Sequence, residues 1–161
     1  MKPVKLSELI EALEFDFEEI SAFVDLEDGC VVTVQSSLLS DLEEGDEEAL
    51  SDVPDWQKDE VEIARAIVAD SGKRFVAPPD KYEFHEYRQM ERFIGTVRNS
   101  AAADQLSQAI KGKGAFRYFK DTADRLGLLN QWFQYRGDAM KEFVVEWAED
   151  NSVPYEDDVK D

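Results

Sequence analysis

The segment Lys111-Gly112-Lys113-Gly114-Ala115-Phe116-Arg117-Tyr118-Phe119-Lys120-Asp121 comes nearest to a binding chemistry in residue type and spacing. Two glycines leave the backbone open. The helical pattern that follows offers free N–H groups in its first turn, where an anion is favoured. Lys113, Arg117 and Lys120 would add charge, with Gly114 at the opening of the helix. Arg117 and Lys120 lie three apart and are neighbours on a helix surface, whereas Phe116 and Phe119 are expected to face the core. The segment is not a P-loop: no lysine-serine or lysine-threonine pair ends it, and no strand pattern precedes it. The competing expectation is a tight helix–helix corner, with Gly112 ending one helix and Gly114 opening the next. A second cationic set is His85, Arg88 and Arg92, at i, i+3 and i+7 of a helix expected over 81–98. They would share a face away from the apolar stripe Phe84, Tyr87, Met90, Ile94 and Val97. Two guanidinium groups on one face could hold an anion. The plainer expectation is a solvated face with Glu86 and Glu91 as neighbours.

Other chemistries fit less well. Cys30 and the lone His85 could in principle form a nucleophile–base pair. Cys30, however, sits in the strand pattern Cys30-Val31-Val32-Thr33-Val34, where a small buried hydrophobe is the expected role. One cysteine and one histidine, 55 positions apart, give no zinc spacing. The acidic run from Asp41 through Asp46 to Asp52 has the length of a calcium loop. Its glycine falls at the fifth position instead of the sixth, and its twelfth residue is aspartate, so no calcium site is expected. No catalytic, metal or cofactor motif emerges. The aromatics Phe116, Tyr118, Phe119, Trp132, Phe133 and Tyr135 interleave with Arg117, Lys120, Arg125 and Arg136, as in proteins that grip single strands. Most of those aromatics fit helical core positions, and a net charge of −19 opposes phosphate backbones.

That charge is unevenly placed. Residues 1–70 carry 21 acids and 4 bases, net −17, whereas residues 111–136 carry 6 bases and 2 acids, net +4. The first half should repel nucleic acid and anionic membranes, and it should either attract basic partners or simply keep the chain soluble. No apolar run reaches transmembrane length, and the opening residues lack an apolar stretch of signal-peptide length. With a single cysteine, the expectation is a cytoplasmic protein without disulfides.

The elements that must position these residues read as α+β: an N-terminal β-hairpin with short helices, then a helical majority of about four or five helices. Ser7 would cap a helix over 8–15 carrying Leu6, Leu9, Ile10 and Leu13 on one face. Residues 18–26 alternate, Glu27-Asp28-Gly29 turns, and the β-branched run from Cys30 returns. A short acidic helix should end near Gly45, followed by an exposed connection over 46–55. Helices are expected at 56–70 (with Trp56, Glu60, Ile63, Ala64, Ile67 and Val68 recurring at helical spacing), then at 81–98, 100–110, 115–126 and 128–150. Arg74–Ala77, before Pro78-Pro79, can be at most an edge strand. One domain over 1–155 is expected, with an acidic hairpin part at 1–55 and a helical part at 56–155. Tyr155 onward should fray, leaving 156–161 as an acidic tail.

The stretches Asp80-Lys81-Tyr82-Glu83-Phe84-His85-Glu86-Tyr87-Arg88-Gln89-Met90-Glu91-Arg92-Phe93, Gly112 to Asp121, and Met1-Lys2-Pro3-Val4-Lys5-Leu6 resemble a known bacterial family, the uncharacterised protein family 0158. The resemblance implies a small cytosolic bacterial protein and supplies no catalytic residues. The charge pattern leads to the expectation of a non-enzymatic binding protein with an acidic surface for a basic protein partner and one basic corner for an anionic small molecule. Rival expectations are a small-molecule or nucleotide-phosphate binder, perhaps an enzyme, using that corner, and a single-stranded nucleic-acid binder. Neither a membrane partner nor a cofactor is expected.

Overall fold

The alternating residues before Gly29 and the β-branched residues after it form the expected antiparallel hairpin. The computed structural model describes residues 1–15, 18–45 and 47–159. Along the chain these form β1 (Val4–Lys5), α1 (Leu6–Glu14), β2 (Ile20–Asp25), β3 (Cys30–Gln35), α2 (Ser36–Glu44), α3 (Glu47–Ser51), a 3-10 turn (Asp55–Gln57), α4 (Lys58–Ala69) and β4 (Phe75–Val76). Then come α5 (Lys81–Phe84), α6 (Glu86–Ile94), α7 (Ser100–Ala109), α8 (Ala115–Arg125), α9 (Leu129–Asp150) and β5 (Tyr155–Glu156). The architecture is α+β, as expected. Beyond the hairpin part the count exceeds five helices because the segment expected as one helix over 81–98 contains two.

The chain divides into two compact units, one built from Met1–Pro79 with Val144–Asp161 and the other from Asp80–Phe143. This division does not fall at the 55/56 boundary that composition suggests. In the first unit, α4 contributes Val61 and Ala64 to the same core as Val34 of β3, Leu38 of α2 and Leu50 of α3. The β-strands here form a three-stranded sheet in the order β3-β2-β4, and β1 pairs in parallel with β5. Gly29 closes the hairpin at φ +68°; a Cβ there would stand 2.6 Å from the Pro3 carbonyl oxygen. The turn therefore needs glycine both for its backbone and for the close approach of the N-terminal residues.

Several expectations for this unit are corrected. Residues 46–55 are not merely an exposed connection, because α3 buries Leu50. Trp56 is 74% exposed and sits in the 3-10 turn instead of the apolar stripe of α4, whose buried residues are Val61 and Ala64. The chain end does not fray at Tyr155. Tyr155 and Glu156 pair with Val4 and Lys5, and the Asp158 carboxylate accepts hydrogen bonds from the Ser7 amide and hydroxyl. Ser7 thus lies inside α1, and the free amide at its start is satisfied by a residue from the far end of the chain. Lys160 and Asp161 of the expected tail, and Asp46 of the rejected calcium loop, lie outside the described residues.

The second unit is helical, with an aromatic core. Met90 and Phe93 of α6, Leu106 of α7, Ala115, Phe119 and Ala123 of α8 and Trp132 of α9 form one buried cluster, together with Ile110. The Trp132 ring meets Phe119 at 4.9 Å and Phe93 at 5.5 Å, both edge to face, the geometry ring quadrupoles favour.

Candidate functional site

Helix α8 and the turn before it carry Lys113, Gly114, Arg117 and Lys120 of the sequence-predicted site. Gly114 is its N-cap at φ +74°, and the Tyr118 ring folds back over it: a Cβ on Gly114 would meet that ring at 3.1 Å. The glycine is therefore fixed by packing inside the corner, whatever else the corner does. The buried residues Ala115, Phe119 and Ala123 recur at i, i+4 and i+8, so the core stripe of α8 runs through its alanines. Phe116 lies off that stripe and is 48% exposed, which corrects the expectation that it faces the core. Tyr118 is exposed as well, on the opposite flank from Phe116. Arg117 and Lys120 point away from the core between these rings, and Lys113 precedes them in the exposed turn. Arg117 has only a loose contact with Asp121, 3.9 Å between two well-exposed side chains. Among the described residues, Lys111, Lys113, Lys120 and Arg125 have no carboxylate within 4.0 Å. Arg136, counted in the same basic segment, is neutralised by Glu86.

The second cationic set is only partly assembled. The expected helix over 81–98 breaks at His85, which has φ +53° and joins α5 to α6. Asp80 caps α5, accepting from the Tyr82 amide. Gln89 then stabilises the break: its side-chain amide donates to the Phe84 carbonyl, and its backbone amide donates to that of His85. Histidine is among the residues that tolerate this left-handed conformation. The i, i+3, i+7 alignment of His85 with the arginines therefore does not form. Arg88 and Arg92 do stand one turn apart on the outer face of α6, opposite Met90 and Phe93, and both are exposed. Phe93, absent from the expected stripe, is buried, whereas Tyr87 is 41% exposed and donates its hydroxyl to the Ile110 carbonyl. Among the described residues, no hydrogen bond or ion pair joins the arginines of α6 to the cations of α8.

The first unit holds two features that local sequence patterns do not show. One is a nearly buried ion pair. Asp25, 2% exposed at the end of β2, receives Arg74 in a two-point grip, Nε–Oδ1 at 2.9 Å and the second guanidinium nitrogen at 3.0 Å from Oδ2. It also accepts from the amides of Glu27 and Asp28 in the hairpin turn. Arg74 holds the Asp25 carboxyl below its usual pKa despite burial, and the two turn amides add to the effect. Asp70 is lowered too, chiefly by the Phe75 amide and then by those of Arg74 and Gly72. The Cys30 thiol, partly exposed beside this pair, is pushed up by burial and then by the charges of Asp25, Glu8 and Asp28. A thiol held protonated in acidic surroundings is a poor nucleophile, in keeping with a packing role.

The other feature is a pair of open cavities that share Ile20 as a wall. The larger, about 810 Å³, is lined by Glu18, Glu19, Ile20, Gln35, Ser36 and Ser37. The smaller, about 320 Å³, is lined by Ala12, Phe15, Ile20, Val31 and Thr33, with Glu8 and Glu11. Among the described residues, no group of three or more His, Cys, Asp or Glu side chains is placed to hold a metal ion. None of their helices is long and apolar enough to cross a membrane.

The division into units sharpens the charge pattern. The unit 80–143 carries 11 bases and 9 acids, net +2; the remainder carries 7 bases and 28 acids, net −21. Comparison with known proteins gives no activity to set beside this pattern. A UPF0158 protein of Pseudomonas aeruginosa is 28% identical over 65 residues, a match spanning 40% of this chain and 42% of that protein. No solved structure matches. The model of the uncharacterised protein family UPF0158 matches residues 1–159, and this chain belongs to that family.

Proposed function

We propose that this is a non-enzymatic binding protein of the bacterial cytoplasm, whose acidic unit engages a basic protein partner. The observation that carries the reading is the charge of −21 on one compact unit against +2 on the other. A field of one sign over a whole unit speeds encounter with an oppositely charged macromolecule and discriminates against acidic ones. The cations of α8, exposed and mostly without carboxylate partners, offer a separate site for an anionic group. The experiment is a titration of the full chain with a fluorescent oligolysine over increasing salt. Affinity that falls steeply with salt supports the reading; absence of binding at low salt overturns it.

A second reading is favoured by one specific finding. Phe116 and Tyr118 are exposed beside Arg117 and Lys120, so rings and cations are available together on α8 for single-stranded nucleic acid. Filter binding of a mixed-sequence single strand at low salt tests it. Retention that disappears in Phe116→Ala and Arg117→Ala supports it, and no retention of the unaltered chain removes it. The phosphate-binder alternative gains less, because the corner at Gly114 is already accounted for by the packing of Tyr118 and His85 stands off the helical face of Arg88 and Arg92.

A further inference from the structure

The two cavities around Ile20 combine an apolar floor with an acidic rim. Solubility explains the rim but not the floor. Phe15 is 55% exposed, and Ile20 and Val31 are only partly covered. Glu11, Glu18 and Glu19 surround them, exposed and with no cation within 4.0 Å among the described residues. Like charges gathered around apolar surface disfavour an uncharged or acidic occupant and favour one that is both cationic and aliphatic.

The backbone beside the groove adds a direction. β3 is an edge of the sheet. Its outward amides at Val31 and Gln35 are taken by carboxylates, Glu8 at 3.2 Å and Glu60 at 2.7 Å. Strand alternation turns the Thr33 amide to the same edge between them, and Thr33 lines the smaller cavity. An extended segment lying there would alternate its side chains between floor and rim every second residue.

We propose that this groove is the docking site for a short extended segment of a basic partner protein, with aliphatic side chains on Phe15, Ile20 and Val31 and lysines or arginines at Glu11, Glu18 and Glu19. The proposal rests on the reading of this unit as the receptor for a basic partner and names the place on it. The test compares two fluorescent probes on the full chain: a peptide in which leucine and lysine alternate, and an oligolysine matched in charge. Burying one leucine on the floor should make the alternating peptide bind about tenfold tighter than the oligolysine. Phe15→Ser should abolish that preference and leave oligolysine binding unchanged. Glu18→Lys combined with Glu19→Lys should weaken the alternating peptide more than Glu43→Lys combined with Glu44→Lys at the end of α2. Circular dichroism of each variant checks that the fold is kept.

Equal affinity of the two probes, or a preference that survives Phe15→Ser, would overturn the groove while leaving the acidic-receptor reading intact. Failure of both probes to bind would overturn both. Sedimentation showing dimers that Phe15→Ser dissolves would assign the groove to a second copy of this chain and likewise overturn the proposal.

Discussion

Replacing Asp25 by asparagine should destabilise the first unit by about 2–3 kcal/mol. The aspartate is 2% exposed and makes two bonds to Arg74 and two to turn amides. Asparagine keeps the shape but turns an NH2 donor toward a guanidinium that only donates, so at least one bond becomes a donor–donor contact. Breaking a buried pair costs about 3–5 kcal/mol. The guanidinium here is 36% exposed and also reaches Glu27 and Asp28 at 3.4 and 3.5 Å, so water and those carboxylates reduce the loss. At about 2–4 °C per kcal/mol for a chain of this size, the melting temperature should fall by about 4–12 °C. The sign with pH is fixed by the lowered carboxyl. Its contribution is complete above the unfolded value of about 3.9 and is lost as pH falls through the lower folded value. Urea melts followed by circular dichroism should therefore show a full gap between the unaltered and Asp25→Asn chains at pH 7, narrowing toward pH 2. A gap under about 0.5 kcal/mol at pH 7, or one that does not change with pH, would show that the Asp25–Arg74 pair does not stabilise this unit.

Phe119→Ala should cost about 3–5 kcal/mol, whereas Phe116→Ala, at an exposed position, should stay within about 0.5 kcal/mol; parallel urea melts decide this. Gly29→Ala should destabilise by more than the roughly 1–2 kcal/mol of a left-handed backbone alone, because the added methyl meets the Pro3 carbonyl; thermal melts read the loss. Ser7→Ala removes a donor to Asp158 and should speed hydrogen exchange at the Val4 amide, which donates to the Pro154 carbonyl. Unchanged exchange there would show that this side chain does not hold the end of the chain.

Much of the fold is legible where periodicity coincides with punctuation. The hairpin around Gly29, the end of α2 at Gly45, the limits of α8 and the start of α9 all follow from patterns bounded by glycines. What is not legible depends on partners distant in sequence or on weighing small residues against large ones. The break at His85 has no glycine or proline to mark it and is held by the side chain and amide of Gln89. Phe116 looks like a core residue because aromatics draw the eye, yet the stripe that packs runs through Ala115 and Ala123. The Asp25–Arg74 pair joins residues 49 apart, and the Ser7–Asp158 contact joins residues 151 apart; no local pattern announces either. Within the candidate site, the individual cations and the glycine corner could be read from the chain. The pairing of Arg136 with Glu86 and the acidic-rimmed groove at Ile20 could not, since each is assembled by tertiary packing.

A basic partner should be drawn to one unit of the molecule and not to the other. A photo-crosslinking oligolysine, bound to the full chain and mapped by peptide mass analysis, distinguishes the two. Adducts should gather within residues 1–79 and 144–161 and disappear as salt is raised; adducts concentrated on 80–143, or labelling indifferent to salt, would show that the acidic unit is not the receptor.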